Sequence, residues 1–241
     1  MINRKDTIIL IPSRLESTRL PQKPLIEFDG LPMIVKIAKT CIEVVGKSSV
    51  IVLTPNVEII EICNAHGIKA ELSSIECQTG TDRLVEFSAE NDFRYYVNVQ
   101  GDEPLLTPVV LENFLISAIE QDSTVVGICE ISNKAEIESS SVVKVASSKG
   151  KMIYASRAPV PFDRDSLVNK HYKHTGLYVF KKEVLQEFKR EMGPLEEIEK
   201  VEILRLIENR VIVRTVEVPN YGPAVDTPQD VIAVQKIIDA E

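Results

Sequence analysis

Ile8-Ile9-Leu10-Ile11-Pro12-Ser13-Arg14-Leu15-Glu16-Ser17-Thr18-Arg19-Leu20-Pro21-Gln22-Lys23-Pro24-Leu25 decides how this chain is read. A purely apolar run stops at Pro12. Three cations follow, in a segment that Pro21 and Pro24 keep from being a helix interior. An apolar run of this length, closed by turn residues, predicts a strand buried on both faces. Open α/β sheets bind ligands where loops leave the carboxyl ends of such strands. Arg14, Arg19 and Lys23 on that loop suit a polyanion such as a triphosphate, although a solvated basic loop would look the same in isolation.

Outward from this stretch, Phe28-Asp29-Gly30 is a turn and Met33 to Val45 has helical spacing, ended by Gly46. Val50–Leu53 is a second buried strand, Val57–His66 a helix stopped by Gly67, and Ile68–Leu72 a short strand. The order β-α-β-α-β with right-handed crossovers predicts a parallel sheet with helices on both faces. A helix is expected from about Thr81 to Asn91, with Gly80 or Thr81 near its cap. Tyr95–Val99 is a strand running into Gln100-Gly101-Asp102-Glu103-Pro104, and Pro108–Gln121 is a helix. Strands follow at 125–131, 142–146, 152–155, 174–180 and 211–218, with a helix over Leu195–Glu208 and another after Asp226-Thr227-Pro228. The polar segment from Pro159 to Lys173 reads as a substrate-side loop.

Length and charge narrow the function. The 241 residues, 44% hydrophobic, suffice for a sizeable core. A net charge of −8 argues against nonspecific nucleic-acid binding, so any anion site must be local. Cys41, Cys63, Cys77 and Cys129 are far apart with no CxxC pair, which predicts free thiols in a reducing compartment. The apolar run at the start stops at Pro12, short of a signal peptide, and no segment approaches the ~20 residues of a membrane span. A cytoplasmic protein without membrane partners is expected.

Two acidic turns carry the chemistry. Asp102 follows a strand directly, and Asp226 opens a helix far away in sequence. Mg²⁺ takes few carboxylates and completes its octahedron with phosphates and waters, so two aspartates plus a triphosphate would serve it. A turn residue and a helix cap would explain the same two aspartates. The glycine loop Gln78–Arg83 can bring backbone N–H groups to a nucleotide, with Arg83 donating to a base or phosphate, or it is an ordinary capped helix start. Arg157 follows an apolar strand and could grip a carboxylate. His174 could donate to a sugar hydroxyl, or be a hydrogen-bonded half-buried histidine. Glu202 lies in an acid-rich helix whose solvated face would account for it. With three histidines and no Cys/His cluster, neither a serine-hydrolase set nor a zinc site emerges.

Taken together the chain resembles the 3-deoxy-manno-octulosonate cytidylyltransferases, the CMP-Kdo synthetases. The motifs are IPSRLESTRLPQKPL at 11–25, QTGTDRL at 78–84, NVQGDEP at 98–104, SRAPVPFDRD at 156–165, HTGLY at 174–178, PLEEIEKVEILR at 194–205 and VDTPQD at 225–230. They occur in the family's order over nearly the whole chain. The resemblance implies one α/β cytidylyltransferase domain over residues 1–241, a Rossmann-like three-layer sandwich with a mostly parallel central sheet. It also implies a sugar-binding and dimerisation subregion around 156–210, and a homodimer. The implied reaction joins CTP and Kdo with Mg²⁺, giving CMP-Kdo and diphosphate for lipopolysaccharide biosynthesis. Arg14, Arg19 and Lys23 would hold the triphosphate, and Gln78, Thr81, Arg83 and Gln100 would complete the CTP site. Asp102 and Asp226 would bind Mg²⁺, and with Arg14 and Lys23 would form the catalytic set. Arg157, His174, Tyr178 and Glu202 would line the sugar site.

Two positions depart from the family's usual spelling. RLPGKP is expected where this chain has Gln22 in place of glycine, a strain if that position needs positive φ. LEQLR is expected where this chain reads Val201-Glu202-Ile203-Leu204-Arg205, so Ile203 would remove a polar group near the sugar. That leaves an amino-Kdo or sialic-acid-like ulosonate as an alternative acceptor, although Lys23-Pro24-Leu25 favours Kdo over the sialate enzymes. A noncatalytic nucleotide-binding protein is the alternative of another class, disfavoured by the presence of both aspartates.

Overall fold

A computed structural model describes residues 6–17, 19–77, 79–165, 170–189 and 191–240. Its strands are β1 (Thr7–Pro12), β2 (Glu27–Phe28), β3 (Leu31–Pro32), β4 (Val50–Thr54), β5 (Ala70–Leu72), β6 (Tyr95–Val99), β7 (Thr124–Glu130), β8 (Lys144–Ser148), β9 (Lys151–Ser156), β10 (Tyr172–Lys181) and β11 (Val213–Glu217). Its helices are α1 (Met33–Val45), α2 (Val57–Ala65), α3 (Gly80–Glu90), α4 (Pro108–Glu120), α5 (Lys134–Glu138), α6 (Lys182–Leu185), α7 (Pro194–Glu199), α8 (Leu204–Glu208) and α9 (Pro228–Ile238). No helix among the described residues is long and apolar enough to cross a membrane.

Nine strands form one sheet in the order β5-β4-β1-β6-β10-β7-β11-β9-β8. The apolar run at the start is its centre. Ile9 and Ile11 pack into the core on one face with α1 and α4, while Ile8 and Leu10 pack into the core on the other with Leu84 of α3 and Leu204 of α8. All four are at most 1% exposed, as a strand covered on both sides requires.

The parallel half, β5-β4-β1-β6, follows the β-α-β-α-β expectation. The whole sheet is mixed rather than mostly parallel. β10 enters between β6 and β7, antiparallel to both, and β8 and β9 form an antiparallel pair in which β8 folds back to pair with the start of β10. A strand's apolar pattern fixes which faces are buried but not its direction, so this reversal left no mark on the periodicity.

The expected helix over 195–208 is broken. α7 ends at Lys200, which adopts the left-handed conformation with φ 53°, and α8 starts four residues later. Val201, Ile203 and Leu204 are all buried at 5% exposure or less. A continuous helix would have turned Ile203 away from the other two, and the break lets all three enter the core. The helix at 80–90 is capped by Thr79, not by Gly80 or Thr81. The Thr79 hydroxyl and the Asp82 carboxylate exchange hydrogen bonds with each other's backbone N–H groups.

Candidate active site

The carboxyl ends of β1, β4 and β6 open on one side of the sheet. Ser13 N–H still bonds to Leu53 O at 2.9 Å, and then the chain leaves as the basic loop. The loop is pinned from outside. Leu15 N–H donates to Asn56 Oδ1 at 3.0 Å, and Asn56 Nδ2 donates to Glu16 Oε1 at 3.1 Å. Gln22 takes the left-handed conformation, φ 55° and ψ 25°, and turns the chain into a short 3₁₀ segment, Lys23–Leu25. The strain foreseen at this position is therefore present.

That turn delivers Lys23 to the acidic turns. Its Nζ lies 2.9 Å from Asp102 Oδ2 and 3.0 Å from Asp226 Oδ1. Arg19 Nη2 lies 3.2 Å from Asp226 Oδ2. Burial works against the charge on Lys23, but the two aspartates outweigh it and hold its pKa above the ordinary lysine value. Burial likewise opposes ionisation of Asp226, and the charges of Lys23 and Arg19 still keep its carboxyl below the usual range. Asp226 is not a helix cap. Thr227 caps α9 in a reciprocal pair with Asp230, which frees Asp226 to face Lys23. Val225 N–H bonds to Asp102 O at 2.8 Å and ties the two acidic turns together.

Two cavities meet at these turns. One, of about 850 Å³, is lined by Arg14, Arg19, Lys23, Arg83 and the two aspartates. The other, of about 570 Å³, is lined by Arg157, His174, Tyr178 and Lys173. Gln100, Asp102, Lys200 and Glu202 line both. Gly101 lets the strand ends approach, since a Cβ there would stand 3.2 Å from Pro12 O.

Several side chains have duties that the motifs did not reveal. Glu202 is not on a solvated helix face. It sits in the break between α7 and α8 and accepts from the N–H groups of Gly80 at 3.3 Å and Thr81 at 3.1 Å. The N-terminus of α3 is thus occupied by the chain's own carboxylate. Burial raises the Glu202 pKa despite these bonds. Thr81 does not line either cavity; it is 1% exposed and serves Glu202. Gln78 lies outside the described residues. Arg83 lines the larger cavity while its Nη1 donates to Ser73 Oγ and Ser74 O at 2.7 and 2.8 Å.

On the other side, His174 Nε2 bonds to the Tyr178 hydroxyl, which also accepts from Gln100 Nε2 at 3.4 Å. Burial, and next the charge of Arg157, push the His174 pKa down to about 4, so the ring is neutral at pH 7. Arg157 donates from Nε to Glu199 O at 2.8 Å, from Nη1 to Ser140 O at 2.9 Å and from Nη2 to Lys200 O at 3.3 Å. Three of its five N–H groups are therefore committed to backbone, and two remain.

Glu103 has a role that its place in the sequence does not reveal. It is 9% exposed, accepts from Gly176 N–H at 2.7 Å and from the Tyr221 hydroxyl, and lines the smaller cavity. Burial, and next the charge of Asp102, raise its pKa to about 7. It stands beside Asp102 in the motif, but nothing in its spacing marked it as buried. Ile203, by contrast, lines neither cavity. It is 1% exposed in the core, so the departure there removes no polar group from the pocket.

The cytidylyltransferase family model matches residues 8–216. The chain is 35% identical over 239 residues to 3-deoxy-manno-octulosonate cytidylyltransferase of Escherichia coli, covering 97% of this chain and 96% of that protein. It is 37% identical over 235 residues to the protein of the same name from Koribacter versatilis, covering 96% and 89%. A solved structure of CMP:2-keto-3-deoxy-manno-octonic acid synthetase complexed with CTP superposes with TM-score 0.90 at 33% identity, over 98% of this chain and 99% of that one. The inositol-1-phosphate CTP transferase of T. maritima, at 14% identity and TM-score 0.66 over 97% and 96% of the two chains, shares the fold alone.

Proposed function

The chain belongs to the 3-deoxy-manno-octulosonate cytidylyltransferase family, and we propose that it transfers CMP from CTP to the anomeric hydroxyl of Kdo, giving CMP-Kdo and diphosphate for lipopolysaccharide biosynthesis. The observation that carries this reading is the meeting of the two cavities at Asp102. The larger presents Arg14, Arg19 and Lys23 to a triphosphate, with Arg83 and Gln100 toward the nucleoside. The smaller presents Arg157 and neutral His174 to an acidic, polyhydroxylated sugar.

Asp102 and Asp226 suit a hard cation, because they already converge on the single ammonium of Lys23. Among the described residues no group of three or more His, Cys, Asp or Glu side chains forms a fuller metal cage. A two-carboxylate set fits Mg²⁺, which draws its other ligands from water and substrate phosphates. When bound, Mg²⁺ would offset charge on the diphosphate and lower the pKa of the attacking hydroxyl.

The chain's own residues position and neutralise. Arg14, Arg19 and Lys23 hold the triphosphate so that the α-phosphorus faces the smaller cavity. Arg157 holds the sugar's carboxylate with its two remaining N–H groups. The chain Gln100–Tyr178–His174 holds the ring through Nε2 and leaves Nδ1 for a sugar hydroxyl. A P–O bond forms from the anomeric oxygen, whose proton passes to solvent, as the bond to the diphosphate breaks, and no side chain is covalently modified. The burial of Ile203 supports Kdo over a variant ulosonate. We read the assembly as a homodimer in the cytoplasm, and Leu195 and Ile198, exposed at 37% and 78%, offer apolar surface within 156–210.

The test is diphosphate release with Mg²⁺ from each of four nucleoside triphosphates crossed with Kdo, amino-Kdo and a sialic acid. Release with CTP and Kdo alone is expected. Release with another sugar moves the acceptor, and CTP binding without release favours a noncatalytic role. Light scattering tests the dimer.

A further inference from the structure

Lys144 stands inside the apolar run Val142–Ala146 and is fully buried, with 0% exposure. Among the described residues no carboxylate forms an ion pair with it. Its Nζ instead donates to three carbonyls: Ser139 O at 2.7 Å, Val142 O at 2.8 Å and Arg157 O. Three donors meet three acceptors, so the ammonium is saturated. A buried cation without a counter-ion is costly, and a neutral residue would pack more easily in a strand paired on both sides, as β8 is at Lys144 with β9 and β10. What these bonds hold together accounts for the charge.

Ser139, Val142 and their neighbours Ser141 and Val143 line the smaller cavity. The same loop is gripped from its other side by Arg157, whose Nη1 takes Ser140 O. Val143 O accepts from His174 N–H at 3.0 Å. The loop's carbonyls therefore turn inward onto Lys144, Arg157 and His174, and the paired hydroxyls of Ser139 and Ser141, 3.1 Å apart, remain at the cavity wall. Lys144 also holds the carbonyl of Arg157 itself, while Glu199 accepts from Arg157 N–H at 2.8 Å. Both backbone polar groups of Arg157 are thus fixed, by side chains of opposite charge.

We propose that Lys144 is a positioning residue for the acceptor half of the site: a buried ammonium that gathers the 139–143 loop and the backbone of Arg157 and so aims the Arg157 guanidinium at the acidic sugar. This rests on the assignment of the smaller cavity to the sugar. Lysine suits the role because a compact ammonium presents three divergent donors at the end of a flexible stem. An uncharged side chain would take this donor from the Val142 and Arg157 carbonyls and leave Ser139 O with Val142 N–H, at 3.2 Å, and the loop would rotate the freed carbonyls toward water.

The test is Lys144→Met in the full chain. The KM for Kdo is expected to rise tenfold or more while the KM for CTP stays within twofold. A general loss of folded structure would instead lower the active fraction and leave both KM values alone. An unmoved KM for Kdo, or an equal rise in both, overturns the proposal. If Lys144→Met does not fold, Lys144→Arg replaces it. Its longer, planar head displaces the Arg157 carbonyl, and a KM for Kdo at least threefold higher with that for CTP unchanged supports the proposal; an unchanged KM for Kdo overturns it. Amide hydrogen exchange over residues 139–143, without substrates, separates this inference from the choice of sugar. Exchange at least tenfold faster in the variant supports it even if the parent enzyme prefers another acceptor, and unchanged exchange overturns it.

Discussion

Replacing Gln22 with glycine should stabilise the protein. Gln22 holds φ 55° and ψ 25°, its side chain is exposed, and its backbone is fully used: N–H to Leu15 O at 3.2 Å and O from Leu25 N–H at 2.9 Å. A residue with a Cβ in the left-handed region costs about 1–2 kcal/mol. Glycine relieves that cost but adds unfolded-state entropy of about 0.5–1 kcal/mol. The net gain is about 0.5–1 kcal/mol. At about 2.1 cal/mol/K per residue, unfolding 241 residues carries about 0.5 kcal/mol/K, so the midpoint should rise by about 1–2 °C. Calorimetry on the parent, Gln22→Gly and Gln22→Ala measures it. Alanine retains the Cβ and should leave the midpoint within about 0.5 °C of the parent, because only the backbone cost separates the two variants. A glycine variant no more stable than the alanine variant would refute the argument, and would mean that the turn relaxes without strain.

Asp102→Asn should lower diphosphate release about a hundredfold or more while the unfolding midpoint stays within a few degrees; near-normal turnover removes Asp102 from the chemistry. Arg157→Ala should raise the KM for Kdo far more than that for CTP, and equal effects would place Arg157 outside the sugar pocket. His174 has its folded pKa depressed to about 4 against an ordinary 6.5, so between those values the unfolded chain binds the extra proton. Its contribution to stability is present above about pH 6.5 and is lost as pH falls toward 4. Urea unfolding at pH 7 and pH 5 should show a smaller loss in His174→Gln than in the parent, and an equal loss in both would contradict the assignment.

What could be read from sequence was whatever local chemistry dictates. The apolar run 8–11 bounded by Pro12 specified a strand covered on both faces, and the parallel half of the sheet followed from it. The basic loop and the two acidic turns carried their charges openly, so their convergence could be anticipated. Facts set by tertiary geometry stayed hidden. The break at Lys200 depends on where Ile203 can be buried, and the orientation of β10 depends on a long connection with no periodicity. Glu202 looked like one acid among many because its partners, the N–H groups of Gly80 and Thr81, are 122 and 121 residues away. Lys144 did leave a signal, a lone cation within an apolar strand.

The reversed strand has a consequence for how such a site diversifies. Because β10 runs against β6 and β7, its beginning rather than its end reaches the catalytic edge, and Gln100 N–H bonds to Gly176 O at 2.9 Å there. His174 and Tyr178 therefore arrive on the chain's return journey, downstream of the connection from Arg157. In the proposed assignment the triphosphate meets segments leaving the sheet, while His174 and Tyr178 meet the acceptor from a strand entering it. The opening residues of that entering strand, 172–178, form a replaceable cassette. Exchanging it would redirect the transferase to a new acceptor while the machinery that breaks the triphosphate stayed as it is.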